Sequence, residues 1–197
     1  MAAPAPENSI QIESRADWRR WLAANHGRTQ GVWLITYKKL PGKPYVSYDD
    51  VVEEALCFGW IDSKPNRLDE ERTMLWFAPR RPGTGWSALN KKRIAAMDAA
   101  GLMTPAGLAK IEAAKQDGSW EALDAIERLE IPADLAAAFE KNKTAWANFE
   151  AFPRSAKRGI LEWIVGAKRA ETRDRRIAET VNLAAQNIRA NGWPRRR

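Results

Sequence analysis

Residues 55–63, reading ALCFGWIDS, do most to limit what this chain can fold into. They carry the end of an apolar helix into the start of a strand with no polar loop between. Gly59 is the helix-ending glycine. Trp60 and Ile61 open the strand, and Asp62 follows at once. Core packing does not require that mixture, and neither does a plain turn. A backbone corner, an aromatic ring and a carboxylate meet here, so the partner of Asp62 becomes the first question.

The flanking sequence alternates strand and helix. Residues 9–13 read as a short strand. Ser14 caps a helix, with Asp17 three residues on as its capping-box partner. Trp18, Trp21, Leu22 and Asn25 share one face of that helix, and Gly27 ends it. Residues 31–39 (GVWLITYKK) are β-branched and aromatic enough for a strand. A turn at 41–44 leads to Ser47, the cap of the next helix. Asp49 and Asp50 suit its first turn, and its apolar face is Val51, Val52, Ala55 and Leu56. Strands at 60–68 and 73–78 make a hairpin around 69–72.

From Trp86 onward the pattern is helical. Residues 87–100 are stopped by Gly101, and Thr104 with Pro105 opens the next helix. Further helices fit 120–129, 132–141, 144–151, 153–168 and about 172–190. Ile177, Val181, Ala184 and Ile188 form the expected buried stripe of the last. The fold class expected is α+β: a small, mainly antiparallel sheet with packed helices, followed by a predominantly helical carboxy-terminal half. The expected division is a disordered lead at 1–8, a mixed α/β unit at 9–118, a helical unit at 119–190 and a basic tail at 191–197. The two units could also form one compact domain.

The chain has 197 residues, 45% of them apolar, and ten are tryptophan. Each buried tryptophan removes about 150–250 Å² from water, worth roughly 4–6 kcal/mol as an upper bound. Such a core is stable without cross-links, and the single cysteine, Cys57, excludes an internal disulfide. That fits a reducing compartment. Residues 1–7 have neither the basic nor the apolar region of a signal peptide. No apolar run approaches the ~20 residues of a membrane span. The expectation is a soluble, cytoplasmic protein. Of the net charge of +7, the basic excess lies in residues 151–197, with twelve Lys/Arg against four Asp/Glu. A concentrated positive field attracts anions, although a charge run also serves as a solvated face.

Metal chemistry is not expected, since His26 and Cys57 are the only residues of their kinds and fall in different elements. His26 suits a helix C-terminus. Cys57 among Leu56, Phe58 and Trp60 reads as a buried, inert thiol, and no nucleophile elbow is present. No catalytic residue and no cofactor are assigned. Residues 77–86 (FAPRRPGTGW), with Ser87, Asn90 and Lys91 after them, end a strand and begin a helix around two arginines. A helix N-terminus and an arginine fork suit an anion. The plainer reading is a strand-to-helix connection with Trp86 packed inward. The candidate ligand site joins both segments: Trp60, Asp62, Arg80, Arg81, Trp86, Asn90 and Lys91. A secondary basic patch is Lys168, Arg169, Arg173 and Arg176. If the helix is continuous there, Arg169, Arg173 and Arg176 lie along one edge and suit phosphates. Equally, Glu171 and Asp174 could pair with them.

Taken in order, several words resemble the YdeI/OmpD-associated family, also called the bacteriocin-protection family, over residues 18–187. They are Tyr48 with 51–62, then Phe77, 79–81, Trp86-Ser87 and Asn90-Lys91. They continue through 101–107, Ala114-Lys115, 117–120, Trp163-Ile164, 167–169, 171–173 and Arg176-Ile177. Ala78 and Thr84 stand where that pattern often has polar residues. The resemblance implies a bacterial cytoplasmic protein associated with protection against bacteriocins or other envelope-active peptides. It brings no catalytic residue and no cofactor. The leading expectation is a non-enzymatic protein of an antimicrobial or envelope-stress response that binds an anionic small molecule or a partner protein. Two alternatives stand beside it. One is an enzyme using Asp62 or Glu54 as general base in the same cleft. The other is nucleic-acid binding through the basic carboxy-terminal helices. Nothing in the pattern sets an oligomeric state.

Overall fold

The computed structural model describes residues 4–192. Its contacts fall into two compact units, one running to Ala122 and the other starting at Leu123. Three residues of the expected lead, and residues 193–197 of the expected basic tail, lie outside the described residues.

The first unit runs β1 (Ser9–Gln11), α1 (Arg15–Asn25), β2 (Val32–Tyr37), α2 (Tyr48–Cys57), β3 (Trp60–Arg67), β4 (Arg72–Pro79), α3 (Ala88–Ala99) and α4 (Pro105–Gln116). The α+β class is found as expected. One sheet has the order β1-β2-β4-β3; β1 and β2 are parallel, and the other two pairings are antiparallel. β3 is therefore an edge strand. It tolerates Pro65, which lacks the N–H that a central strand must donate, and its register shifts between Asp62 and Pro65.

Local chemistry starts the helices. Ser14 and Asp17 form a reciprocal capping box on α1. Ser47, Ser87 and Thr104 accept backbone N–H groups at the starts of α2, α3 and α4. Each such cap contributes about 1 kcal/mol. Cross-strand partners share a face, so Val32, Leu34, Trp60, Leu75 and Phe77 point to one side of the sheet. There Val32, Leu34, Trp60 and Phe77 join Trp18, Leu22, Val52 and Leu56 in one buried cluster. Trp18 packs on both Trp21 and Phe77 at 5.2 Å between ring centres, and Trp21 meets Trp60 edge-on at 5.7 Å.

The join from α2 to β3 is tight because two glycines allow it. Gly59 has φ +75°, which L side chains rarely adopt, and a Cβ there would lie 2.6 Å from Lys110 Cγ. The Gly59 N–H donates to the Leu56 carbonyl at 3.1 Å, and its own carbonyl accepts the Arg80 N–H at 3.0 Å. The carbonyl of Cys57 accepts the Thr104 N–H at 3.2 Å and the Thr104 hydroxyl at 2.6 Å. A Cβ on Gly107 would sit 2.2 Å from that carbonyl oxygen. The first turn of α4 is thus pressed onto the last turn of α2.

The second unit holds α5 (Asp124–Glu127), α6 (Ala133–Glu140), α7 (Lys143–Ala151), α8 (Arg154–Val165) and α9 (Ala170–Ala185). Leu135, Phe139, Phe149, Leu161 and Ile164 anchor its core. Two expectations fail at helix ends. The helix expected over 120–129 is only four residues long. It is closed by Leu129 at φ 58°, with the Glu130 N–H reaching back to the Ala125 carbonyl. The last helix stops at Ala185, not near 190. Asn187 takes φ 56°, its N–H donates to the Ala184 carbonyl, and the Ile188 N–H donates to the Leu183 carbonyl. That bond pattern is the Schellman stop. It turns Ile188 out of the stripe, leaving it 49% exposed while Ile177, Val181 and Ala184 are buried.

Candidate functional site

An open cleft of about 870 Å³ lies in the first unit where β2 and β3 begin and β4 ends. The backbone of the Gly59 corner, Trp76, Ala78 and Pro79 form much of its wall. Residues 28–31 bound one rim, Arg81 and Pro82 another, and Ala106, Ala109 and Lys110 of α4 a third. His26, Arg28, Arg80, Arg81 and Lys110 all line it, and among the described residues no aspartate or glutamate does.

Arg80 is the innermost of these cations, only 4% exposed. Its guanidinium lies 3.6 Å from the centre of the Trp86 ring. One terminal nitrogen donates to the carbonyls of Gly85 at 2.8 Å and Thr84 at 3.3 Å. Its Nε is buried with no hydrogen-bond partner among the described residues. Burial pushes the guanidinium down to about 10, against the opposing pull of the Asp62 carboxylate. A charge kept in so dry a place without a bonded counter-ion is costly for the fold.

The other cations are less committed. Arg28 donates to Asn8 Oδ1 at 3.1 Å and rests over the Trp21 ring at 5.5 Å. Arg81 is exposed and Lys110 half-buried. Neither has a carboxylate partner among the described residues. The loop carrying Arg80 and Arg81 is tied down at Gly83, whose N–H donates to Asp117 Oδ2 at 3.0 Å. Hydrogen bonds from Ser119 and then from Gly83 hold the Asp117 carboxyl below the usual carboxylate range.

Of the residues singled out from the sequence, Trp60, Arg80 and Arg81 line this cleft. The Trp60 ring is core, with its Nε1 donating to the His26 carbonyl at 3.1 Å. Trp86 is buried beneath Arg80 and packs on Trp120 at 5.2 Å. Asp62 is elsewhere: it accepts the Tyr48 hydroxyl at 2.8 Å and lines a second cavity. Asn90 completes the α3 cap and accepts from Arg93 at 3.0 Å. Lys91 lies with its ammonium 5.1 Å from the Trp120 ring centre. Sequence reading missed His26, Arg28, Trp76 and Lys110. The available signals were the glycines: Gly27 and Gly31 bracket the Arg28 rim, and Gly59 marks where Lys110 crosses.

The secondary patch belongs to the second unit. The helix is not continuous there, since α8 ends at Val165 and α9 begins at Ala170. Lys168 and Arg169 are exposed in the break. Arg173 forks onto Asp134 at 2.6 and 2.9 Å. Arg176 donates to the Trp163 carbonyl and lies over its ring at 5.0 Å. Arg173 is thus paired within the second unit, but with Asp134 rather than with Glu171 or Asp174.

Glu54 is 2% exposed and clamped, with Arg15 on one oxygen and Arg19 on the other, both at 2.6 Å. Burial first, and then the Glu54 charge, push the Cys57 thiol up, as suits an unreactive sulfur. Among the described residues no group of three or more His, Cys, Asp or Glu could hold a metal ion. No described helix is long and apolar enough to cross a membrane.

Residues 10–110 match the family model described as Domain of unknown function (DUF8412), and residues 128–187 match the one described as Bacteriocin-protection, YdeI or OmpD-Associated. The words read earlier as one resemblance are thus shared between two models, with 51–62 and 77–91 in the first and 163–177 in the second. No curated protein and no solved structure gives a significant match. All of the cleft's lining except Asn8 lies in the span of the first model, which covers more than half of the chain. The chain belongs to the DUF8412 family, and its residues 128–187 are similar to the family described as Bacteriocin-protection, YdeI or OmpD-Associated.

Proposed function

We propose that this is a non-enzymatic, cytoplasmic protein of bacteriocin or envelope-stress protection whose first unit binds an anionic small molecule. The description of the family matched at 128–187 supports the protective role. One observation carries the binding role: a cleft lined by five basic side chains and no carboxylate, with a buried guanidinium whose Nε has no partner. A carboxylate or phosphate is the chemistry that such a guanidinium matches. Trp76, Ala78 and Pro79 offer an apolar wall beside it, as small-molecule sites generally do. Glu54, one candidate base, has both oxygens occupied by arginines, and Asp62, the other, lines the second cavity and not this cleft.

The experiment is calorimetric titration of the full chain with inorganic phosphate, pyrophosphate and benzoate. At least one should bind at one site per chain, more weakly as salt rises. Arg81→Ala with Lys110→Ala should weaken it by about tenfold or more, roughly 1.4 kcal/mol. Silence toward all three anions, or affinity unchanged in the double variant, would overturn this reading.

A further inference from the structure

The chain contains three tyrosines, Tyr37, Tyr45 and Tyr48, and all three line the second cavity, about 370 Å³ in volume. It opens on the sheet face beyond the first turn of α2, where Leu34, Leu75, Val46 and Val51 make an apolar floor. Tyr45 and Tyr48 are 50% and 52% exposed, so their rings are available to a ligand. Asp62 stands among them. Its carboxylate accepts one hydrogen bond, from the Tyr48 hydroxyl, and has no ion-pair partner among the described residues. Arg80 acts on it only through space.

We propose that this cavity binds an organic ammonium ion carried on an apolar body, with Asp62 as counter-charge and the tyrosine rings as walls. Ring faces carry negative charge density and attract cations within about 6 Å. The protein already shows this at two of the same rings, with Lys43 5.3 Å from the Tyr37 centre and Arg93 5.6 Å from the Tyr48 centre. The one basic side chain in the lining, Lys38, is turned away, its ammonium on the carbonyls of Asp69 and Glu70 at 2.8 and 2.9 Å. The first turn of α2 would favour an anion by its dipole. However, it is capped by Ser47 and carries Asp49 and Asp50. Asp49 is paired with Arg93 and Asp50 with Arg15, so Asp62 is the carboxylate here without an ion pair among the described residues.

The probes are phenethylammonium, its uncharged counterpart phenethyl alcohol and the anion phenylpropionate, each titrated into the full chain. The ammonium should bind about tenfold or more tightly than either comparator. Asp62→Asn, which keeps an oxygen for the Tyr48 hydroxyl, should remove that preference while leaving the melting temperature in place. Tyr45→Ala should weaken the ammonium severalfold, and the Arg81→Ala/Lys110→Ala variant should bind it as the parent does. No ammonium binding by the parent would overturn the proposal. So would equal binding of the alcohol, or a preference that survives Asp62→Asn.

Discussion

Arg80 stacks on Trp86 at 3.6 Å while its Nε, buried beside that ring, bonds to nothing. The stack and two carbonyl contacts hold the side chain in place, but no bonded carboxylate offsets its charge. Removing one partner of a buried ion pair is destabilising, whereas replacing a poorly compensated buried charge by an apolar chain is often neutral or favourable. Arg80→Met should therefore melt at the parent temperature or above it. The same variant should lose about tenfold or more in affinity for the anion the parent binds. Thermal melts and calorimetry on one preparation check both halves. A large fall in melting temperature would show that the Thr84 and Gly85 carbonyl bonds outweigh the desolvation of the charge.

Three glycines should answer alanine differently. Gly107→Ala places a Cβ 2.2 Å from the Cys57 carbonyl oxygen, backbone against backbone, so α4 must shift off α2. A loss of about 2–3 kcal/mol is expected, in the range of overpacking strain. Gly59→Ala combines φ +75° with the Lys110 stem at 2.6 Å, and about 1–2 kcal/mol is expected from the backbone alone. Gly159 lies inside α8 with nothing within 4 Å of an added Cβ. Gly159→Ala should stabilise the second unit by about 0.5–1 kcal/mol. Denaturant unfolding of the three variants measures this ordering.

These cases show what was legible in the sequence. Caps, helix stops and strand alternation depend on residues three or four apart, so Ser14 with Asp17, Ser47, Gly59 and Thr104 were readable directly. The helix ends at Leu129 and Asn187 were not, because neither residue advertises a left-handed conformation as glycine does. Partnerships across the fold were hidden as well. Tyr48 and Asp62 are fourteen residues apart, and Arg15 meets Glu54 across thirty-nine. Asp62 and Arg80 were joined in one expected site, but Asp62 lines the tyrosine cavity while Arg80 folds onto Trp86. Lys110 enters the cleft because Gly59 and Gly107 let α4 approach, a closeness that only those glycines signal in the sequence.

Glu54 should prove structural when it is neutralised. Its two oxygens hold Arg15 and Arg19, and Arg15 also reaches Asp50 at 2.8 Å and Glu53 at 2.9 Å. Both arginines remain about one-third exposed, so water compensates part of what Glu54→Gln removes. The expected loss is about 1–3 kcal/mol, below that of a fully buried pair. Anion binding in the cleft should persist at temperatures where the variant is folded. Loss of binding with stability intact would instead make Glu54 part of the site.

Acid should weaken the β3–β4 hairpin through Asp69. Arg72 forks onto Asp69 Oδ2 at 2.9 and 2.7 Å, and the N–H groups of Glu71 and Arg72 donate to Oδ1 at 3.0 and 2.7 Å. The Arg72 side chain foremost, then these backbone donors, bring the Asp69 carboxyl down to about 2. In the unfolded chain it titrates near 3.9. Between those values the unfolded state binds the proton and the folded state does not, so lowering the pH favours unfolding. The contribution of Asp69 is thus complete above about pH 4 and lost as the pH falls toward about 2. Asp17, Asp50, Asp117 and Asp134 are also held below the usual range and act in the same direction. Asp69→Asn should lower stability at pH 7 and show a shallower decline between pH 4 and 2 than the parent, measured by urea unfolding at fixed pH. Parallel curves for the two proteins through that window would mean that the turn owes nothing to this carboxylate.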